Sequence, residues 1–274
     1  THLNKKDSTP SMNPENIKMS AGILALNRIK KQQLKEIPDK LKPENIHDAY
    51  KIQEQMHNIF QEINFGKRIG YKIGCTSSVM RKYLDINEPC YGGILNTGTN
   101  YISANKNFQD FSMPGVEIEI AVFVNEDFKF SNETTIDEIP LDKLTLFPAI
   151  ELVDNRWIDY KIIDKNSLIA DDFFASEIIL GNPLPSHKIN NLDNLTGKLI
   201  INEDQVSEGN TKNIMKHPIN ALSWLINNLQ KKDKFLRQGE IVMLGSITQT
   251  KWVSKNDEII ASFDALGEVL LKFR

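Results

Sequence analysis

The segment PGVEIEIAVFV, residues 114–124, sets two glutamates inside an apolar run. Side chains in a strand alternate faces with a period of two. Val116, Ile118, Ile120, Val122 and Val124 therefore line one face, and Glu117 and Glu119 share the other with Ala121 and Phe123. Two carboxylates so placed repel each other, and each loses hydration on burial. A third glutamate, Glu151 in LFPAIELVDNRW, lies in a second apolar run, on one face with Ala149 and Val153. Three carboxylates from two strands offer hard oxygen ligands to a divalent cation such as Mg2+, which keeps octahedral geometry and leaves positions for water or substrate. The competing reading is the solvated face of a half-buried sheet. Phe147, Pro148, Ile150 and Leu152 around Glu151 favour burial, and a buried carboxylate without a partner is rare.

Other reactive side chains carry less by themselves. Lys72, in GYKIG, reads either as a lysine whose stem packs while its amine reaches water, or as a base or oxyanion partner near a pocket. His217 precedes Pro218 at the expected start of a helix and reads as a cap or packing residue rather than a catalyst, and His2, His47, His57 and His187 show no metal-ligand spacing. Cys75 follows Gly74 without an evident histidine partner, so a thiol nucleophile is not expected. No phosphate-binding glycine loop, GxSxG elbow or dinucleotide fingerprint occurs.

The elements that must position these groups divide near residue 105. MSAGILALNRIKKQQLKEI and ENIHDAYKIQEQMHNIFQEI have helical spacing, with Ile46, Tyr50, Met56 and Phe60 among the apolar positions of the second and IPDKLKP as the break between them. RIGYKIGCTSS reads as a short strand, SSVMRKYLDI as a helix capped by Ser77 or Ser78, and EPCYGGILNTGTNYI as turn and loop. Beyond, EIEIAVFV, LFPAIELVDN, GKLIINEDQV, EIVMLGSITQ, EIIASFDAL and GEVLLKF read as strands, interrupted by the amphipathic helix HPINALSWLINNLQKKD. The expected organisation is a polar, disordered lead-in over 1–14, an N-terminal α/β part over 15–104 and a β-rich catalytic domain over 105–274. The chain opens on Thr1 rather than Met, so a trimmed sequence is expected.

Composition narrows the class. The 274 residues can bury a substantial core, and 40% hydrophobic with 25% charged residues is ordinary for a globular protein. A net charge of −3 gives no basic balance for nucleic acid or an anionic membrane. No apolar stretch has the length of a membrane span, and the N-terminus lacks the core of a signal peptide. Two cysteines make no disulfide framework; free thiols and a cytoplasmic location are expected.

Taken in order, GYKIGCTSSVMRKYL, EPCYGGIL, PGVEIEIAVFV, FPAIELVDNRWIDYK, IADDFFASEIILG, KHPINALSWL, IVMLGSITQTKWV and DALGEVLLKF resemble the 2-keto-4-pentenoate hydratase and 4-oxalocrotonate decarboxylase branch of the fumarylacetoacetate hydrolase superfamily, over residues 40–274. The resemblance implies an α+β fold, a β-rich roll with a smaller, mostly helical N-terminal part. It implies Mg2+ or Mn2+ held by Glu117, Glu119 and Glu151, and catalytic roles for Lys72 and Asp171. The same segments supply the expected substrate contacts, Thr76, Ser77, Arg156, Phe173, Ser246 and Thr248. The implied substrate is a small 2-oxo or 2-hydroxydienoic acid, bound through its carboxylate and 2-oxo oxygen, and a homo-oligomer is expected.

The expected reaction is water addition to a 2-hydroxy-2,4-dienoate. A decarboxylase acting through the same electrophilic device is the alternative, followed by an acylpyruvate C–C hydrolase and by a non-enzymatic scaffold. Hydrolases of this kind usually need a His–Glu pair, and the helix after Lys72 holds no histidine. Three departures bear on the choice. Pro89-Cys90-Tyr91-Gly92 stands where hydratases carry Pro-Asp-Phe-Gly, Asp172 stands where the family has Asn, and FFASE brings two aromatics to a run of small polar residues.

Overall fold

The structure is a computed structural model and describes residues 11–274. Of the expected lead-in, residues 1–10 lie outside the described residues. Residues 11–13 are tied down: the Ser11 hydroxyl donates to Glu44 and Asp48, Met12 is buried, and Asn13 caps the first helix.

Two helices form the N-terminal layer. α1 (Pro14–Lys30) starts on the Asn13 side chain with Pro14 in its first turn, where a missing N–H costs nothing, and ends on a left-handed Lys31. α2 (Ile46–Glu62) is capped by Asn45 and buries Tyr50, Ile52, Met56 and Phe60 along one stripe. β1 (Arg68–Gly74) follows, then a short helix, α3 (Ser78–Tyr83), capped by Ser77.

EPCYGGILNTGTNYI is not the loop its glycines suggested. β2 (Cys90–Leu95) and β3 (Thr99–Tyr101) lie within it, and β2 pairs antiparallel with β1. The glycines are there for close approach. A Cβ on Gly92 would lie 2.3 Å from the Asp172 carbonyl oxygen, and one on Gly93 would lie 2.4 Å from the His57 ring.

The remaining strands are β4 (Ser103–Lys106), β5 (Pro114–Val124), β6 (Leu144–Asp154), β7 (Ala175–Leu180), β8 (Leu184–Pro185), β9 (Thr196–Ile201), β10 (Asp204–Asn210), β11 (Ile241–Ser246), β12 (Lys251–Trp252), β13 (Glu258–Phe263) and β14 (Gly267–Phe273). GKLIINEDQV is a hairpin, β9 and β10, whose turn residues Asn202 and Glu203 both have positive φ. Two further helices complete the described residues, α4 (Lys165–Ala170) and α5 (Pro218–Gln230), the latter capped by the His217 ring as expected.

One nine-stranded sheet runs β2-β1-β11-β5-β6-β7-β3, with β12 on β5 and β8 on β6; a five-stranded sheet runs β10-β9-β13-β14-β4. Strands from both sides of residue 105 thus share the larger sheet. It curls until β2 lies against β7, while β13 and β14 of the smaller sheet contact β6. The concave face of the curl carries Ala121, Phe147, Ala149, Ile178, Leu180 and Met243 as one apolar cluster. The main core fills the convex side, with Val116, Ile118, Ile120 and Val122 of β5 in it. The alternation read in PGVEIEIAVFV is therefore the division between two cores, and its two glutamates belong to the concave side.

Candidate metal centre

β5 and β6 pair antiparallel over their full length, and their register sets Glu117 directly opposite Glu151, with Glu119 opposite Ala149. Directly opposed like charges destabilise a sheet. Glu119 and Glu151 are also almost fully buried, and Glu117 is half-buried. Carboxylate oxygens of the three lie within 4.8 Å of one another. Burial, and then the charge of Glu151, pushes Glu117 up to about 7. Glu119 is raised well above the usual carboxylate range by the same two causes.

One cation from the chain answers the three acids. Lys72 on β1 is buried and donates from Nζ to Glu151 Oε1 at 2.8 Å. Burial, the largest influence, pulls its proton affinity down, but Glu151, Glu117 and Glu119 outweigh that and leave it raised. With all three glutamates ionised, a net negative charge stays buried. The all-oxygen donor set fits a hard divalent cation, which would supply the missing charge.

The strand-to-loop stretch after β11 closes round the acids. Gly245 N–H donates to Glu119 Oε2 at 3.1 Å and Thr250 Oγ1 to Glu117 Oε2 at 2.9 Å. Ser246 stands opposite Glu119 in the sheet, and its hydroxyl donates to the Thr248 carbonyl. Thr248 Oγ1 is buried without a protein partner, a donor left over for a bound group. Thr76, buried, packs on Gly245 so closely that a Cβ there would meet its hydroxyl at 2.4 Å. Of the residues expected from sequence, the structure therefore brings together Glu117, Glu119, Glu151, Lys72, Thr76, Ser246 and Thr248. Ser77 follows Thr76, but its hydroxyl accepts from Met80 N–H as the α3 cap.

Phe173 joins from another direction. Its ring centroid is 5.4 Å from Lys72 Nζ, and the ring fills the space a Cβ on Gly74 would need. Cys90 shares the face of Lys72, because Lys72 pairs with Gly92 and Gly74 with Cys90 across β1 and β2. Burial, and then a hydrogen bond to Cys75, holds the Cys90 thiol well above its ordinary value, so it stands neutral beside the acids.

Asp171 and Arg156, expected in catalytic and substrate-contact roles, are bound to each other and to Arg28. Arg156 gives Nε to Asp171 Oδ2 at 3.0 Å, Nη1 to the Ala175 carbonyl at 2.7 Å and Nη2 to the Asp171 carbonyl at 2.8 Å. Asp171 Oδ1 accepts from Arg28 Nη2 at 2.9 Å. Both carboxylate oxygens of Asp171 are thus occupied by arginines. Arg156 lines a separate cavity of about 300 Å3 with Arg28, Lys31, Asp154 and Glu177, away from the three glutamates.

Asp172, fully buried, accepts from His57 Nε2 and Gly93 N–H at Oδ1, each at 2.8 Å, and from Arg28 Nη1 at Oδ2 at 3.0 Å. Burial alone would raise its carboxyl; His57 and Arg28 outweigh it and hold it well below the usual range. Asp172, Phe173 and Phe174 follow one another with φ of 62°, 48° and 67°. Each left-handed L-residue costs roughly 1–2 kcal/mol, so this turn needs external support. Arg28, His57 and Thr250 gave no signal in the sequence reading; Thr250 stands two residues beyond Thr248 in SITQT and was the nearest to legible.

A family model described as fumarylacetoacetate (FAA) hydrolase C-terminal matches residues 95–273. The chain is 27% identical over 238 residues to the 2-oxo-hept-4-ene-1,7-dioate hydratase of Escherichia coli, covering 83% of this chain and 86% of that one. It is 28% identical over 228 residues to a 2-keto-4-pentenoate hydratase of Paraburkholderia phymatum, covering 82% and 85%. Among solved structures, 4-oxalocrotonate decarboxylase from Pseudomonas putida G7, complexed with magnesium and adipate, superposes with a TM-score of 0.90 at 20% identity over 97% of this chain and all of that one. Fumarylpyruvate hydrolase from Pseudomonas aeruginosa, with Mn2+ and pyruvate, gives 0.59 at 12% identity over 76% and 89%. The expected α+β roll is the fold found, and with the family model covering well over half its length, the chain belongs to the fumarylacetoacetate hydrolase family.

Proposed function

We infer that the protein is a divalent-metal-dependent hydro-lyase that adds water to a small 2-hydroxy-2,4-dienoate, as a 2-keto-4-pentenoate hydratase does. The observation that carries this is the opposed pair Glu117 and Glu151 with Glu119 beside them, buried together and only partly compensated by Lys72. The hydratases among its relatives, aligned over more than four-fifths of the chain, support the substrate class.

Glu117, Glu119 and Glu151 would hold the ion, Mg2+ or Mn2+ by their oxygen donors. When bound, such an ion supplies Lewis-acid polarisation of a 2-oxo carboxylate. Lys72 serves as a donor toward charge developing at the 2-oxygen, or exchanges a proton there. Glu151 aims it. Thr76, Ser246 and the unpartnered Thr248 hydroxyl provide polar contacts on one side, with Ser77 at the edge of the α3 cap, and Phe173 provides an apolar wall on the other. The substrate ketonises to the conjugated 2-oxo-3-enoate, and water then adds at C4 while C3 takes a proton.

A decarboxylase is the second reading, favoured by the neutral Cys90 thiol where hydratases carry an aspartate. The assay that tests the proposal follows the ultraviolet absorbance of 2-hydroxypenta-2,4-dienoate with Mg2+ and then with chelator. Metal-dependent loss beyond ketonisation, with 4-hydroxy-2-oxopentanoate as product, is expected. No such loss, together with CO2 release from 2-oxohex-3-enedioate, would replace the hydratase by the decarboxylase. A small-molecule substrate requires no nucleic acid or membrane partner, and no helix among the described residues is long and apolar enough to cross a membrane. Assembly into a homo-oligomer belongs to the same proposal and is tested by light scattering.

A further inference from the structure

We propose that His57 and Asp172 are positioning residues for Lys72, acting through a left-handed turn that presses the Phe173 ring against the lysine. Three observations carry this. Three consecutive non-glycine residues, 172–174, have positive φ, and two of them are phenylalanines. No local sequence preference produces that, so tertiary contacts impose it. Those contacts are on the same turn: Asp172 is gripped by His57, by Gly93 N–H and by Arg28, while Arg28 and Arg156 clamp Asp171. Gly92 lets β2 approach the Asp172 carbonyl to a distance no side chain would allow. The turn's outcome is the Phe173 ring, 5.4 Å from Lys72 Nζ and packed on Gly74.

An ammonium is attracted to an aromatic face, and a ring in that position keeps water from that side of the amine. Lys72 is then held between the Phe173 ring and Glu151, which leaves its remaining donors for a bound substrate. His57 and the Asp172 carboxylate hydrogen-bond to each other, to Gly93 and to Arg28, and not to Lys72 or the three glutamates. Their influence on the reacting centre passes through Phe173. The turnover part of the test rests on the hydratase reading; the labelling part does not.

The experiment is a double-mutant cycle on the full chain with His57→Ala and Phe173→Leu, and His57→Gln as the conservative variant. Lys72 is labelled with an amine-acetylating ester well below the unfolding temperature and quantified by peptide mass spectrometry; kcat, KM and Mn2+ affinity are measured alongside. Lys72, 3% exposed, should resist acetylation in the wild type. Each single variant should raise Lys72 acetylation several-fold with exposed Lys143 unchanged, and the double variant should go no further. The kcat should fall roughly tenfold to a hundredfold in each, with Mn2+ affinity held in both and KM held in His57→Ala, and His57→Gln should recover most of the labelling and kcat effects. Wild-type labelling of Lys72 in His57→Ala would overturn the proposal. So would effects that multiply in the double variant, or a loss of thermal stability with no change in kcat. If the wild type turns over no dienoate yet the labelling cycle behaves as described, the hydratase reading fails and the positioning role stands.

Discussion

Two buried charge clusters stand on either side of Phe173, and they differ in their balance. At Glu117, Glu119 and Glu151, three acids meet a single lysine. At Asp171 and Asp172, two acids meet Arg28, Arg156 and His57, and each carboxylate oxygen has a partner within 3.0 Å. Burial pushes Glu117 and Glu119 toward the protonated form, whereas its partners hold Asp172 ionised. A cluster that balances itself is a strut. A cluster that does not is an invitation to a ligand, and the strain it stores without one is the cost of function.

The difference can be broken from either side. The largest effect is expected for Glu119→Gln, which removes one of three ligand carboxylates. Metal-supported turnover should fall by more than roughly a hundredfold, the loss typical of removing a mere outer partner of a metal site. Turnover close to wild type in a steady-state assay would remove Glu119 from the centre. Next is Lys72→Ala, which should lower kcat by about 10²–10³ while Mn2+ still binds, since the lysine donates but does not ligate. Near-normal rates would take Lys72 out of the mechanism. Asp171→Asn tests the strut: it leaves two buried arginines undercompensated and should destabilise by about 3–5 kcal/mol in urea unfolding, with Mn2+ affinity unchanged.

The smallest effect has the opposite sign. In chelator-treated protein, Glu117→Gln should stabilise by about 1–3 kcal/mol at pH 8, because the opposed charge is gone while an acceptor for Thr250 remains. The pH dependence follows from the same group. Its folded value, about 7, exceeds its ordinary value, so between the two the folded state binds more protons than the unfolded state. The stability of the ion-free protein should therefore fall as pH rises through about 7, while apparent Mn2+ affinity rises over the same interval as fewer protons must be displaced. A flat affinity profile from pH 5 to 8 would contradict this.

The unbalanced cluster was legible in the sequence and the balanced one was not, for a physical reason. Glu117 and Glu119 lie in a run of period two, so their shared face is a property of the strand itself, and Glu151 lies in the strand that pairs with it. Lys72 was ambiguous on composition alone and gained its role from the resemblance of the surrounding motifs. The strut is assembled from distant residues: His57 and Asp172 are 115 positions apart, and Arg28 and Asp172 are 144 apart. No local pattern encodes such a contact. The segment holding β2 reads as loop in sequence because glycines disfavour strands, whereas here Gly92 permits close packing on the turn at Asp172 and Gly93 on the His57 ring. Asp171 was placed at the chemistry by motif position, and the two arginines that take its oxygens were not legible there.

The proposal that Glu117, Glu119 and Glu151 hold a divalent ion has a direct test. Calorimetric titration of Mn2+ into chelator-treated protein at pH 8 tests it most directly. A single saturable site per chain is expected, lost in Glu119→Gln and kept in Asp171→Asn. Absence of saturable binding in the wild type, or binding undisturbed by Glu119→Gln, would contradict it.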